Sequence, residues 1–183
     1  TRYRIYGADL TAPAGHIVCI HGLSLPAAMA WANFGEAAEH HNYKLLAYDL
    51  YGRGGSEGPY LPNTPELFTS QLAELLWTLA RTGEFQPDAP IILAGLSMGG
   101  AIAGHFTATF PDAVDTLILV APAGLGAPLP WVSKLLDIPW LGDYLMDWVA
   151  PTVFLRRLAG EYEGRPATDW AGVGTMADFV GQV

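Results

Sequence analysis

The chain has 183 residues, of which 51% are hydrophobic and 15% are charged, and its formal net charge is −9 at pH 7. This composition suffices for one sizeable core, and the negative charge argues against binding to nucleic acid or to anionic membranes. No stretch is long and apolar enough to span a membrane, and the single cysteine, Cys19, leaves no disulfide framework. We expect a neutral small molecule as the partner.

Apolar runs that alternate with helical segments predict an α/β fold with a doubly wound, mostly parallel sheet. The predicted strands are residues 3–6, 16–20, 43–48, 90–94 and 116–120. Near-continuous apolar character in most of them is typical of strands that are buried on both faces. Cys19 falls inside the second run and is expected to be a core residue.

The clearest predicted helix begins at Thr64, which can cap it, and continues through Pro65 at the first helical position. Gly83 is expected to end it. One face carries apolar residues at helical spacing: Phe68, Leu72, Leu75, Leu76 and Leu79. We interpret this stripe as core packing.

The motif Gly95-Leu96-Ser97-Met98-Gly99 stands between the strand 90–94 and a small-residue helix that ends near Phe110. A serine on a sharp turn from strand to helix is the setting of a nucleophile elbow, which lifts the hydroxyl above the sheet edge. The helix start adds free amides and the positive end of its dipole. Ser97 is therefore the predicted nucleophile.

A second G-x-S-x-G match surrounds Ser56, but Pro59 follows it and no helix does. Because the pattern alone is weak, the strand and helix around Ser97 decide between the two matches. Ser56 is not expected to react.

The strand 16–20 leads into His21-Gly22-Leu23, where a second oxyanion donor is expected. The predicted donors are the amides of Leu23 and Met98, and Gly22 would let the chain approach the oxygen without a Cβ in the way. His21 is a candidate general base, but its place at a strand end favours bonding to backbone.

Asp49 follows the strand 43–48 and precedes a glycine-rich turn at residues 52–55. The turn matches neither phosphate-binding pattern, the P-loop or the dinucleotide fingerprint. We expect Asp49 to bond amides of its own loop, and Arg53 as a further partner.

In this order and at these separations, the three motifs at residues 21–22, 49–56 and 95–100 resemble the serine α/β-hydrolase fold superfamily. The resemblance covers about residues 14–124. It implies that Ser97 is the nucleophile and that Leu23 and Met98 hold the oxyanion. Within the superfamily, the motifs are similar to those of esterases, monoacylglycerol-type lipases, enol-lactone hydrolases and iminopeptidases.

In this superfamily the catalytic acid and histidine follow the serine in the chain, but no histidine follows His105 here. His105 itself lies about two helical turns beyond Ser97, too far to reach its hydroxyl. The segment 121–124 after the last predicted strand offers no carboxylate. We expect these residues to be the N-terminal part of a longer enzyme, or else an inactive relative.

Composition divides the chain into a core, 1–124, and a proline-punctuated segment, 125–183, that the resemblance identifies as a helical cap. Aromatic side chains of the cap either line an acyl pocket or attach the cap to the core. The candidate pocket residues are Trp131, Trp140 and Trp148.

The sequence thus predicts a serine hydrolase that cleaves an ester or related acyl bond in a small, largely apolar substrate. This chemistry needs no metal or organic cofactor. One alternative is a hydrolase-like protein that binds a ligand without turnover. Others are a lactonase, an iminopeptidase or a carbon–carbon hydrolase of the same fold.

Overall fold

The computed structural model describes residues 1–23, 25–86 and 88–124. Five strands form one sheet in the order β1-β3-β2-β4-β5, parallel except for β1, which pairs antiparallel with β3. The strands are β1 Tyr3–Tyr6, β2 Gly15–Ile20, β3 Tyr43–Tyr48, β4 Ile91–Leu96 and β5 Thr116–Val120. All five predicted strands are present, with bounds that differ by at most two residues.

Four α-helices and one short 3₁₀ turn accompany the sheet in the described ranges. They are α1 Ala27–Ala30, α2 Ala32–His40, α3 Pro65–Thr82, α4 Met98–Thr109 and the turn Pro111–Ala113. The helices α1 and α2 were not predicted, because Pro26 and Trp31 precede them without a capping side chain. Among the helices of these ranges, none combines the length and apolar composition that a membrane span requires.

The capping residues on either side of α3 explain where the helix begins and where it ends. The Thr64 hydroxyl accepts a hydrogen bond from the amide of Leu67 at 3.3 Å, and Gly83 adopts φ 77° at the other end. A left-handed residue at this place is the usual stop for a helix, and glycine adopts it without a Cβ penalty. The predicted stripe is packed in the core, with Leu72 and Leu79 fully buried.

Two apolar clusters lie on opposite faces of the sheet, because side chains alternate along each strand. On β2, Val18 and Ile20 join the cluster formed with α3 and α4, whereas Cys19 joins the cluster formed with α1 and α2. Cys19 is 1% exposed, as expected, and burial raises the pKa of its thiol to about 12. The sheet is therefore doubly wound.

The chain direction across the sheet reverses beside β2. From β2 the chain moves to β3 on one side and then to β4 on the other side. In open parallel sheets, ligands bind at the carboxyl ends of the strands at such a reversal. This fold therefore brings the loops after β2 and β4 together. The predicted division at residue 124 stays a prediction, since the segment 125–183 lies outside the described residues.

Candidate active site

Ser97 is the single residue between β4 and α4, and its backbone is strained. Its φ of 52° and ψ of −116° lie in a region that non-glycine residues rarely adopt. Such a conformation costs on the order of 1–3 kcal/mol and persists only where the surroundings impose it. The side chain makes no capping bond to α4 and is exposed, so its hydroxyl is accessible.

Backbone hydrogen bonds hold Ser97 in this conformation. Its amide donates to the carbonyl of Val120 at 2.9 Å, and its own carbonyl accepts from the amides of Gly100 at 2.9 Å and Ala123 at 2.8 Å. Two of these bonds reach the end of β5 and the residues after it. This contribution of Val120 and Ala123 was not predicted from the sequence, because both residues lie more than twenty positions from Ser97 and carry no polar side chain.

The glycines around Ser97 are required by close backbone approaches. A Cβ on Gly99 would collide with the backbone carbonyls of Ile20 and His21, and one on Gly100 would lie 2.7 Å from the Cβ of Pro122. The helix α4 can thus begin directly against the end of β2. These contacts give a physical reason for the small residues that follow the serine.

The loop after β2 lies beside the serine. A Cβ on Gly22 would stand 3.4 Å from the Cβ of Ser97 and 3.9 Å from its Oγ. In the part of the chain that the structure describes, neither the amide of Leu23 nor that of Met98 has a hydrogen-bond acceptor. Their pairing as oxyanion donors stays a prediction.

His21 is fully buried and both of its ring nitrogens are engaged. The amide of Leu50 donates to Nε2 at 2.9 Å, so the neutral ring carries its proton on Nδ1 and donates it to the carbonyl of Gly22 at 2.6 Å. Burial lowers the pKa of His21, which keeps the ring neutral. His21 therefore braces the loops after β2 and β3, as the preferred interpretation of the sequence expected.

Asp49 is a structural residue of the same region. Its carboxylate accepts from the amides of Ala27 at 2.8 Å and Gly55 at 2.9 Å, so the predicted bonding within its own loop is confirmed. The expected partnership with Arg53 is wrong. Arg53 instead donates to the carbonyl of Tyr51 at 3.0 Å and lies over the ring of Phe68.

The other candidate residues, Ser56 and His105, form hydrogen bonds with groups other than Ser97. Ser56, in the second G-x-S-x-G match, is buried, donates to the carbonyl of Asp49 at 2.7 Å and accepts from the amide of Arg2 at 2.8 Å. His105 shares a 2.9 Å hydrogen bond with the hydroxyl of Thr69 on α3. In the described ranges no histidine nitrogen is hydrogen-bonded to the Ser97 hydroxyl.

A buried glutamine that was not predicted from the sequence supports the loop after β3. Gln71 on α3 is 1% exposed, accepts from the amide of Tyr51 at 3.0 Å and donates to the carbonyl of Asp49 at 3.0 Å. A polar residue next to Leu72 on an otherwise apolar face was the available signal. The candidate pocket residues Trp131, Trp140 and Trp148 lie outside the described residues.

Known proteins are similar to this chain in sequence and in fold. A profile of the serine aminopeptidase S33 family matches residues 11–170. Lipase LipV of Mycobacterium tuberculosis is 39% identical over 87 residues, which are 46% of this chain and 30% of that protein. Mouse monoglyceride lipase is 29% identical over 115 residues, 62% of this chain and 36% of the lipase.

Among solved structures, the enol-lactonase of Burkholderia xenovorans is similar with a TM-score of 0.66 and 27% identity, over 92% of this chain and 60% of the lactonase. The chain spans less than half the length of the curated relatives that it matches. The family profile covers most of the chain, from before β2 to beyond β5. The chain therefore belongs to the serine aminopeptidase S33 family of α/β-hydrolases.

Proposed function

We propose that the protein is a serine hydrolase that cleaves an ester or related acyl bond in a small, largely apolar substrate. The observation that carries the proposal is the strained, exposed Ser97 at the reversal point of the sheet. Strained backbone conformations such as that of Ser97 are found mainly at active sites, where the strain is part of the mechanism. Two of the relatives are lipases, which favours an ester as the substrate of this protein over the peptide that the family's name implies.

In the proposed reaction, the Ser97 hydroxyl loses its proton to a general base as its oxygen attacks the acyl carbon. The amides of Leu23 and Met98 donate hydrogen bonds to the oxyanion of the tetrahedral intermediate. Its collapse expels the alcohol, which takes up the proton, and leaves an ester on Ser97. Water then attacks this ester and releases the acid and the free serine.

The general base is assigned to a further part of the whole protein. No histidine follows His105 in this chain, and His21 and His105 are bonded to other partners. A serine hydroxyl without a base is a weak nucleophile. The proposal therefore concerns the full-length gene product, to which this chain contributes the nucleophile and both oxyanion donors.

The test is labelling of the full-length gene product with a fluorophosphonate, together with hydrolysis of p-nitrophenyl butyrate. We expect labelling at Ser97 and a loss of turnover on the order of 10⁶-fold in Ser97→Ala. Ser56→Ala is the matched control, because it changes the serine of the second motif and should retain labelling. Equal labelling of wild type and Ser97→Ala would overturn the assignment. A folded protein that is neither labelled nor active would instead be a binding protein.

A further inference from the structure

The outer face of α3 carries an exposed tryptophan between two groups of opposite charge. Ser70, Glu74, Trp77 and Arg81 follow one another at spacings of four, three and four residues, so they form one stripe along the helix. All four residues are exposed, and Trp77 is 61% exposed. The opposite side of the helix packs in the core cluster that it shares with α4. We call the exposed residues the outer stripe of α3.

Neither charge of the outer stripe is paired within the described ranges, where Glu74 and Arg81 form no ion pair. The two residues are seven positions apart, which separates their backbones by about 10 Å along the helix. The guanidinium of Arg81 lies 4.5 Å from the centre of the Trp77 ring and is held on the stripe by this cation–π contact. The stripe thus presents a carboxylate and a guanidinium with an indole between them.

The outer stripe is complementary to itself. Glu74 and Arg81 lie at equal distances, about 5 Å along the helix, on either side of the point between Trp77 and Thr78. When two copies of α3 pack antiparallel about a twofold axis through that point, each Glu74 faces the partner's Arg81. The two Trp77 rings then meet beside the axis. Such a contact is neutral as a whole, although this chain carries a formal net charge of −9.

An open apolar groove beside the stripe leaves room for a second indole. The groove has a volume of about 330 Å³ and runs between α3 and α4, and Trp77 forms part of its wall. Ala73 and Ala80, about one turn before and after Trp77, line it from α3, and Phe106 and Phe110 line it from α4. The small side chains of the two alanines allow a partner's ring to approach the helix closely. Tryptophan and arginine are also the residue types that contribute most to binding between proteins.

We propose that the protein forms a symmetric dimer through the outer stripe of α3. Trp77 of each copy packs against the α3 helix and the groove of the other copy, and two pairs of Glu74 with the partner's Arg81 fix the antiparallel register. Facing charges of opposite sign determine orientation more than affinity. Because a single helix pair buries less than about 1,200 Å² in total, the association is weak, with Kd in the micromolar range.

Sedimentation velocity of the full-length gene product, over concentrations that span the micromolar range, tests the proposal. We expect a monomer–dimer equilibrium that shifts to the dimer as the concentration rises. Trp77→Ser removes the central ring and should raise Kd about tenfold or more. Ser97→Ala should dimerise like wild type, so the dimer and the proposed reaction are tested separately.

Charge reversal tests the register of the dimer. Glu74→Arg and Arg81→Glu each place like charges opposite one another, and each should raise Kd about tenfold or more. An equimolar mixture of these two variants should associate much more tightly than either variant alone, because every facing pair in the mixed dimer again has opposite charges. Glu39→Arg makes the same change of charge at an exposed position of α2, on the other face of the sheet, and should not weaken the dimer.

Several results would contradict the proposal. If the protein stays monomeric throughout the concentration range, the outer stripe does not form this dimer. A dimer that Trp77→Ser or either charge reversal leaves unchanged uses another surface. If the mixture fails to associate, or Glu39→Arg weakens the dimer equally, the charges of Glu74 and Arg81 do not face each other. Circular dichroism checks that every variant is folded, as expected for changes at exposed positions.

Discussion

The α-carbon of Gly22 faces the side chain of Ser97, so that a Cβ at residue 22 would lie 3.9 Å from the serine oxygen. The two residues are 75 positions apart and meet because β2 and β4 are adjacent in the sheet, with Ile20 beside Gly95. In the proposed reaction this space receives the carbonyl of the substrate. Residue 22 therefore has no room for a side chain when an acyl group is bound.

We expect Gly22→Ala to lower kcat about ten- to a hundredfold, because the added methyl displaces the bound carbonyl. The fold should be retained, since the nearest atoms are at ordinary contact distance. Gly104→Ala is the matched control, because a Cβ there meets nothing within 4 Å. That variant should keep its activity and gain roughly 0.5–1 kcal/mol of stability, as for other helical glycines. Full activity of Gly22→Ala would contradict the proposed placement of the substrate.

A second prediction concerns the oxyanion donors. Met98→Pro removes one amide N–H at the first position of α4, where proline is best tolerated. Loss of one such donor should lower kcat about 100- to 1,000-fold. Met98→Ala and Leu23→Ala retain the amides and should change kcat much less. The three variants are compared by steady-state kinetics after a crystal structure shows that Ser97 in Met98→Pro keeps its backbone conformation. Normal turnover in such a variant would place the oxyanion elsewhere.

The buried histidines predict how stability depends on pH. The pKa values of His16 and His21 are lowered by burial from the ordinary value of 6.5. Well above pH 6.5 both rings are neutral in the folded and unfolded states, and their contribution to stability is complete. As the pH falls below 6.5, the two histidines become protonated in the unfolded chain but stay neutral in the folded chain. The free energy of unfolding therefore decreases until the pH reaches the lowered pKa values of the folded state.

This decrease is bounded by about 1.4 kcal/mol per pH unit for each histidine. Urea unfolding at a series of pH values between 7.5 and 5.0 measures it. His21→Gln should remove part of the slope, since glutamine can accept from Leu50 but does not titrate. A slope identical to that of wild type would show that His21 is protonated equally in both states.

The tryptophans of the segment 125–183 carry a prediction about substrates. If Trp131, Trp140 and Trp148 line an acyl pocket, medium-chain esters should be preferred over acetates. Each buried methylene contributes about 0.8 kcal/mol, so a few carbons should raise kcat/KM by well over tenfold. A series of p-nitrophenyl esters of increasing chain length measures this. A profile that is flat, or that falls steadily from acetate, would mean that these side chains do not touch substrate.

Local signals account for what could be predicted of the fold. The cap at Thr64 and the stop at Gly83 define α3 within one continuous segment, and the alternation on β2 assigns its side chains to two faces. The elbow was predictable for the same reason, because strand, serine and small-residue helix are consecutive. Ser56 could be set aside because its own neighbours lack that context.

Long-range partners account for what could not be predicted. Asp49 accepts a hydrogen bond from the amide of Ala27, 22 positions earlier, and not from the nearby Arg53. The fold brings Ala27 to this place, and fixed backbone amides satisfy a buried carboxylate well. The surroundings of His16 also have no sequence signal, because its ring accepts from the amide of Gln86, 70 positions later, and stacks on Phe85.

The bonds from Ser97 to Val120 and Ala123 imply an order of assembly for the protein. The strand β4 and the helix α4 can form from neighbouring residues, but the serine gains these two partners only after β5 has docked beside β4. Bringing β5 beside β4 closes the chain between them into a loop, which costs conformational entropy before these hydrogen bonds can form. On the folding pathway we therefore expect Ser97 to acquire its positive φ late, and a nascent chain that has not yet reached residue 123 to carry Ser97 without this strain.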